Sequence, residues 1–260
     1  MDLLKAKKTI TDHQYKQLQG STSIISLPDE LLTEVLAEVG SASFTDLYNA
    51  KLSCKDFLKL SEEDKIFQCV SLDKFSAIPC NANHPKISSF LERCKECRNP
   101  ESLYRQGMLD YFHQGMTESG LEYLKRAAEK GHMEATYVYS IILLCLGDDN
   151  DDHRESKLKG MKILSSLKAK SERQRMKECR ERIKRMMWIC MWSLKKNIIV
   201  RRQQSCLGKE PCKIQKIKNG WLTTDEEVDE YDDVLCESCR CNREITWFCN
   251  GQLGTDHYSF

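Results

Sequence analysis

Residues 27–60, LPDELLTEVLAEVGSASFTDLYNAKLSCKDFLKL, constrain the fold more than any other stretch. Leu31, Val35 and Val39 recur at four-residue steps, and Leu32 and Leu36 make a second such series. That period is helical, and the two series together give a wide apolar face. Pro28 suits the first turn of a helix, where its missing N–H costs nothing. Asp29 and Glu30 bring negative charge to the positive end of the helix dipole. Gly40 supplies a stop. Ser43, with Asp46 three residues on, resembles a capping box for a second helix carrying Leu47, Ala50 and Leu52. A third short helix holds Cys54, Phe57, Leu58 and Leu60. Three helices in roughly 40 residues make a marginal core. The first has apolar residues over more of its circumference than so small a bundle can bury. Such a surplus asks for a partner. Leu27, Leu31, Val35, Leu36, Leu52 and Phe57 therefore divide between an inner core and an outer docking face.

The chain has 260 residues, a net charge of +1, 40% hydrophobic and 30% charged residues. That length suits one larger or two small domains and is enough to bury a core. Near-neutral charge gives no global bias toward nucleic acid or membrane. Residues 1–20 contain no apolar core of a secretory signal. The longest apolar runs, 137–146 and 186–192, fall short of the roughly 20 residues of a spanning helix. The expectation is a soluble protein of the cytoplasm or nucleus. There its 14 cysteines are thiols or metal ligands rather than disulfides.

The order Leu27-Pro28, Leu31, Val35-Leu36, Leu47, Leu52, Cys54-Lys55 and Phe57 resembles an F-box, over residues 24–66. Phe57 stands where Trp is common, and Ser53 where many members carry Val. The resemblance implies docking onto a Skp-family adaptor, linked in turn to a cullin and a RING protein. The chain would be the receptor subunit of an SCF-type ubiquitin ligase. Leu27, Pro28, Leu31, Leu36, Leu52 and Phe57 would carry the adaptor contact. The module itself does no chemistry.

Residues 1–23 are polar and read as a mobile leader. A linker with a further helix fills 67–100, the helix over 87–98 ending at Asn99-Pro100. Residues 101–146 read as three helices, about 102–113, 118–130 and 134–146. Small residues at Gly107, Ala127 and Ala128 allow close helix approach, and Tyr104, Tyr111 and Tyr123 fill the space around them. Gly131-His132 makes the turn. The stretch RAAEKGHMEA is similar to Sel-type repeats of the tetratricopeptide class, with one full unit and the start of a second. Fewer than three units do not stand alone, so neighbouring helices must support them. Repeats of this class bind protein partners. An F-box with a short Sel-type repeat and a Cys-rich tail resembles a family of plant F-box proteins. The fold class expected is all-α.

Residues 153–203 are basic and helical. They read either as an electrostatic surface or as a solvated face over Met161, Leu164, Leu167, Met176 and Ile183. An acidic run, 225–233, lies downstream and can screen or pair with the basic face. Residues 204–260 read as an irregular tail with a strand-like run at 244–248. In it, Cys206, Cys212, Cys236 and Cys239 form two pairs able to hold a structural zinc. Free thiols are the plainer reading. Cys94 and Cys97 share a helix face without a second pair. No G-x-x-x-x-G-K-[ST], H-E-x-x-H or G-x-S-x-G occurs, so the expected role is a non-catalytic adaptor. The alternative is a scaffold or nucleic-acid-associated protein working through the basic helices and a zinc-binding tail.

Overall fold

The computed structural model describes residues 24–76, 85–147, 151–170, 173–191 and 235–253. Among them every regular element is helical. The chain divides into two compact units, Met1–Ser71 and Leu72–Phe260. The leader expected at 1–23 lies outside the described residues.

The first unit holds a short 3-10 turn, Ile24–Ser26, and four helices: α1 (Asp29–Ala42), α2 (Phe44–Ser53), α3 (Lys55–Leu60) and α4 (Asp64–Cys69). Pro28 stands one place earlier than its sequence suggests, just before the helix. Its carbonyl accepts from the N–H groups of Leu31 and Leu32. The stop expected at Gly40 does not occur, because α1 runs on to Ala42. Gly40 is buried, and a Cβ there would lie 3.0 Å from Leu47 Cδ2. The glycine serves the close approach of α2. The helix ends where Ser43 turns extended (φ −156°). Ser43 Oγ then accepts from the Asp46 N–H at 3.2 Å and caps α2. Cys54 Sγ does the same for Phe57 at the start of α3. The buried apolar side chains of this unit are Leu32, Leu36, Ala37, Leu47, Leu60, Ile66, Phe67 and Val70. Phe67 and Val70 lie past the boundary expected at 66. The Ser71 N–H donates to the Gly40 carbonyl at 2.8 Å.

In the second unit α5 (Pro85–Glu96) leads to α6 (Pro100–Met108), which continues into a π-helical turn over Leu109–Gln114. α7 (Thr117–Glu129), α8 (Met133–Leu146), α9 (Asp151–Lys170), α10 (Arg173–Met191) and α11 (Glu237–Leu253) follow. The α5–α6 corner is local chemistry. Arg98 takes a positive φ of 60°, and the Asn99 N–H reaches back to the Cys94 carbonyl. The Asn99 side chain then accepts from the N–H groups of Glu101 and Ser102, with Pro100 at the first helical position. At the end of α7, Gly131 has φ 85°. Gly131 bonds back to Ala128 and His132 to Ala127, a Schellman ending.

Two antiparallel hairpins result, and glycine sets the approach in both. A Cβ on Gly107 would meet Leu124 Cγ at 2.8 Å, and one on Gly120 would meet the Tyr111 backbone N at 2.5 Å. Between α8 and α9, a Cβ on Gly160 would meet the Ser140 carbonyl at 2.9 Å. The second repeat unit, whose start alone shows in the sequence, is thus completed by the basic helix α9. Gly120→Ala puts a methyl against main chain that cannot move aside. It is expected to cost about 1–3 kcal/mol, the range for overpacking. An unchanged denaturant midpoint would contradict this.

Nearly every residue of α8 is buried, and a helix apolar all round belongs at the centre of a bundle. Residues 133–146 are therefore core. The tail also differs from expectation. Residues 237–253 form helix α11, neither irregular nor a strand. Cys241, Ile245, Phe248 and Cys249 recur at steps of four, three and one, and all join the core of this unit.

Candidate functional site

On α1 two neighbouring rows of apolar side chains have opposite fates. Leu32, Leu36 and Gly40 turn inward. Leu31 and Val35 turn to solvent, Leu31 being 51% exposed. Leu27 and Ile24 are exposed ahead of the helix, and Pro28 beside them. On α2, Tyr48 and Leu52 are exposed four residues apart, Leu52 at 69%; Leu58 is exposed on α3. So many large apolar side chains left in water on one small unit make it a candidate interaction surface. Charged pairs flank them: Lys51 with Glu62 at 2.6 Å, Lys59 with Asp29 at 3.8 Å, and Lys65 with Glu34. In high dielectric these contribute little stability.

Of the six expected docking residues, Leu27, Pro28, Leu31 and Leu52 are exposed and Phe57 is half-buried. Leu36 is corrected: at 3% exposure it is part of the core. It sits five positions after Leu31, about 140° further round the helix, so it cannot share that row. Ile24, Tyr48 and Leu58 belong to the exposed set and were missed. The four-residue step from Tyr48 to Leu52 was the available signal.

Two polar networks hold the second unit. Glu101 lies between Arg105 Nε, at 2.6 Å, and His132 Nε2, at 2.8 Å. His132 Nδ1 accepts from the Ala135 N–H, capping α8. Nε2 therefore carries the proton that Glu101 receives. The same ring stacks on Tyr104. Arg105 also donates to the carbonyls of Leu72, Phe75 and Ser76 and so fixes the start of the unit. Arg182 Nε reaches Glu134 at 3.2 Å. Burial alone would push the Glu101 carboxyl up, but the His132 hydrogen bond and the Arg105 charge outweigh it. They hold the carboxyl at about 2, against an ordinary 4.5. Its stabilising contribution is then complete above pH 4.5 and is lost as pH falls through about 2. Glu101→Gln is expected to flatten the acid limb of stability between those limits. Identical urea midpoints for both proteins at pH 3 and at pH 7 would contradict the assignment.

The second network is largely interior, with Lys168 alone partly exposed. Glu244 of α11 takes Arg180 Nη2 at 2.7 Å and Nε at 3.2 Å, both residues being fully buried. Lys168 Nζ donates to it at 2.8 Å and the Tyr137 hydroxyl at 2.7 Å. Four helices meet on this carboxylate. Arg180 and Lys168, expected on a basic outer face, thus turn inward because Glu244 offers a counter-charge there.

For zinc, Cys206 and Cys212 lie outside the described residues. Cys236 is half-buried and Cys239 buried at the start of α11. Among the described residues no three His, Cys, Asp or Glu gather as a metal would need. Two sulfurs alone do not close a structural site. Burial pushes the Cys241 thiol up to about 12 and the Cys94 thiol, with Cys97 beside it, to about 12 as well. Both behave as protonated core groups.

A family model of plant tetratrico peptide repeats matches residues 73–188. It runs from the Arg105-bound start of the second unit into α10. The Arabidopsis thaliana protein named Putative F-box protein At1g67623 is 34% identical over 230 residues, covering 84% of this chain and 74% of its own length. F-box protein At2g35280 of the same plant is 30% identical over 122 residues, covering 47% of this chain and 74% of its own length. F-box protein At1g67340, also from Arabidopsis thaliana, is 26% identical over 125 residues, covering 47% of this chain and 33% of its own length. No solved structure matches the chain. An N-terminal unit with an apolar face left in water, a tetratricopeptide-type helical unit after it, and a relative aligned along most of both lengths lead to one statement: the chain belongs to the plant F-box protein family.

Proposed function

We propose that this protein is the target-selecting subunit of an SCF-type ubiquitin ligase. The first unit docks a Skp-family adaptor, and through it a cullin. The second unit presents the target. The observation that carries this reading is the exposed set Leu27, Leu31, Val35, Tyr48, Leu52 and Leu58 on helices whose core is already filled by Leu32, Leu36 and Leu47. A face of that kind is covered by another polypeptide rather than by further folding. The chain contributes no catalytic group. It raises the local concentration of a target near the ubiquitin-loaded enzyme, and the covalent steps take place on other subunits. It works in the cytoplasm or nucleus, where free thiols such as Cys69, exposed on α4, stay reduced.

Affinity capture of the tagged chain from plant extract tests the reading. The intact chain is expected to retrieve a Skp-family adaptor and a cullin. A chain lacking residues 24–71 is expected to retrieve neither. Intact, soluble chain that recovers no adaptor would overturn the proposal.

A further inference from the structure

One carboxylate is set into the exposed apolar row of α1. Leu31, Val35, Glu38 and Ala42 follow one another at steps of four, three and four, and all are exposed. Seven residues make two helical turns short of about 20°, so Glu38 stands almost in line with Leu31, about 10 Å along the axis. Given adaptor docking at this unit, on which the inference rests, we propose that Glu38 sets the choice of adaptor. It selects a surface that brings a lysine or arginine opposite it.

Position is the first support. Glu38 follows Val35 by three residues, about 4.5 Å of axial rise. A specific interface takes about 800 Å² from each partner, far more than one helical turn. A polypeptide that covers Leu31 and Val35 therefore covers Glu38 as well. A carboxylate taken out of water without a counter-charge weakens the complex.

The scarcity of cations on the unit itself is the second. Residues 24–71 contain nine carboxylates, four lysines and no arginine. Lys51 is held by Glu62, Lys59 by Asp29 and Lys65 by Glu34. The fourth, Lys55, begins α3. Neither it nor Glu38 forms an ion pair among the described residues. The counter-charge for a covered Glu38 is thus left to the partner. A surface with an apolar or acidic group at that point would bury the carboxylate unpaired and be rejected.

The affinity of a purified Skp-family adaptor for the full chain, measured at low salt and at about 0.5 M salt, tests the assignment. Glu38→Gln is expected to weaken binding at low salt by about tenfold or more, as loss of a covered charge pair requires. Its thermal midpoint should match the parent's, because the side chain is exposed. Salt should weaken the parent complex more steeply than the variant complex. Glu129→Gln, exposed on α7, makes the same change in net charge and should leave the affinity as it is. A parent chain that binds, with Glu38→Gln binding as tightly or responding to salt in the same way, would overturn the role of Glu38 and leave docking standing. A parent chain that does not bind would overturn both.

Discussion

Replacing one carboxylate in the C-terminal helix is expected to unfold the larger unit. Glu244→Ala leaves Arg180 and Lys168 at the junction of four helices without their counter-charge, and the Tyr137 hydroxyl without its acceptor. Burial alone would raise the pKa of Glu244. Arg180 first, and then Lys168, instead hold it well below the ordinary carboxylate range. The Tyr137 hydroxyl is pushed up by burial and by the Glu244 charge, so it stays a donor. Breaking a buried pair from one side costs about 3–5 kcal/mol, and a whole domain is stable by only about 5–15 kcal/mol. The variant should lose its cooperative thermal transition or aggregate on expression. Ending the chain before residue 235 should do the same, since Ile245 and Phe248 leave the core as well. The joint change Arg180→Met with Glu244→Leu is expected to recover part of the loss. It removes the two fully buried charges and fills the space, while the partly exposed Lys168 can turn to water and the Tyr137 hydroxyl stays without its acceptor. A midpoint for Glu244→Ala within about 0.5 kcal/mol of the parent, the usual span of surface changes, would show that the network does not hold α11.

The second large effect separates the two rows of α1. Leu31→Asp and Leu52→Asp place charge on exposed positions. They should leave the fold and its midpoint nearly unchanged. At a docking face each should lower adaptor affinity by about 30-fold or more, as loss of an apolar anchor worth about 2 kcal/mol requires. Leu36→Ala should behave in the opposite way. It opens a cavity in the core of the first unit, at a cost of about 2–5 kcal/mol. Its affinity for the adaptor should fall only as far as its folded fraction falls. If Leu31→Asp unfolds the unit, or Leu36→Ala proves inert, the inner and outer rows have been assigned the wrong way round.

Much of the helical scaffold was legible in the sequence because its signals are local. Ser43 before Asp46, Asn99 before Pro100, and Gly131 before His132 mark ends through hydrogen bonds that span two to five residues. The four-residue spacing of Leu31 and Val35 likewise marks a helix face. Spacing gives the face but not its direction. Leu31 and Leu36 are equally apolar, and only the positions of Leu47 and Phe67 decide which of them is covered. Gly40 read as a stop because its other use, letting Leu47 approach, depends on the next helix. The tail misled for a related reason. It reads as irregular because polar residues fill the steps between Cys241, Ile245, Phe248 and Cys249, which carry a helical period. The Glu244–Arg180 pair joins residues 64 positions apart, and no local pattern announces such a contact. Arg180 and Lys168 consequently looked like members of a solvated basic run. The completion of the second hairpin by α9 was hidden in the same way, since the charged residues of that helix obscured Gly160 and Met161.

Calorimetric titration of a purified Skp-family adaptor into the full chain tests the central claim most directly. The expectation is saturable one-to-one binding. Its enthalpy should grow more negative with temperature, as burial of apolar surface requires, and the Leu31→Asp, Leu52→Asp double variant should give no such signal. Folded chain that shows no saturable heat at either of two temperatures, or a double variant that binds as well as its parent, would contradict the account.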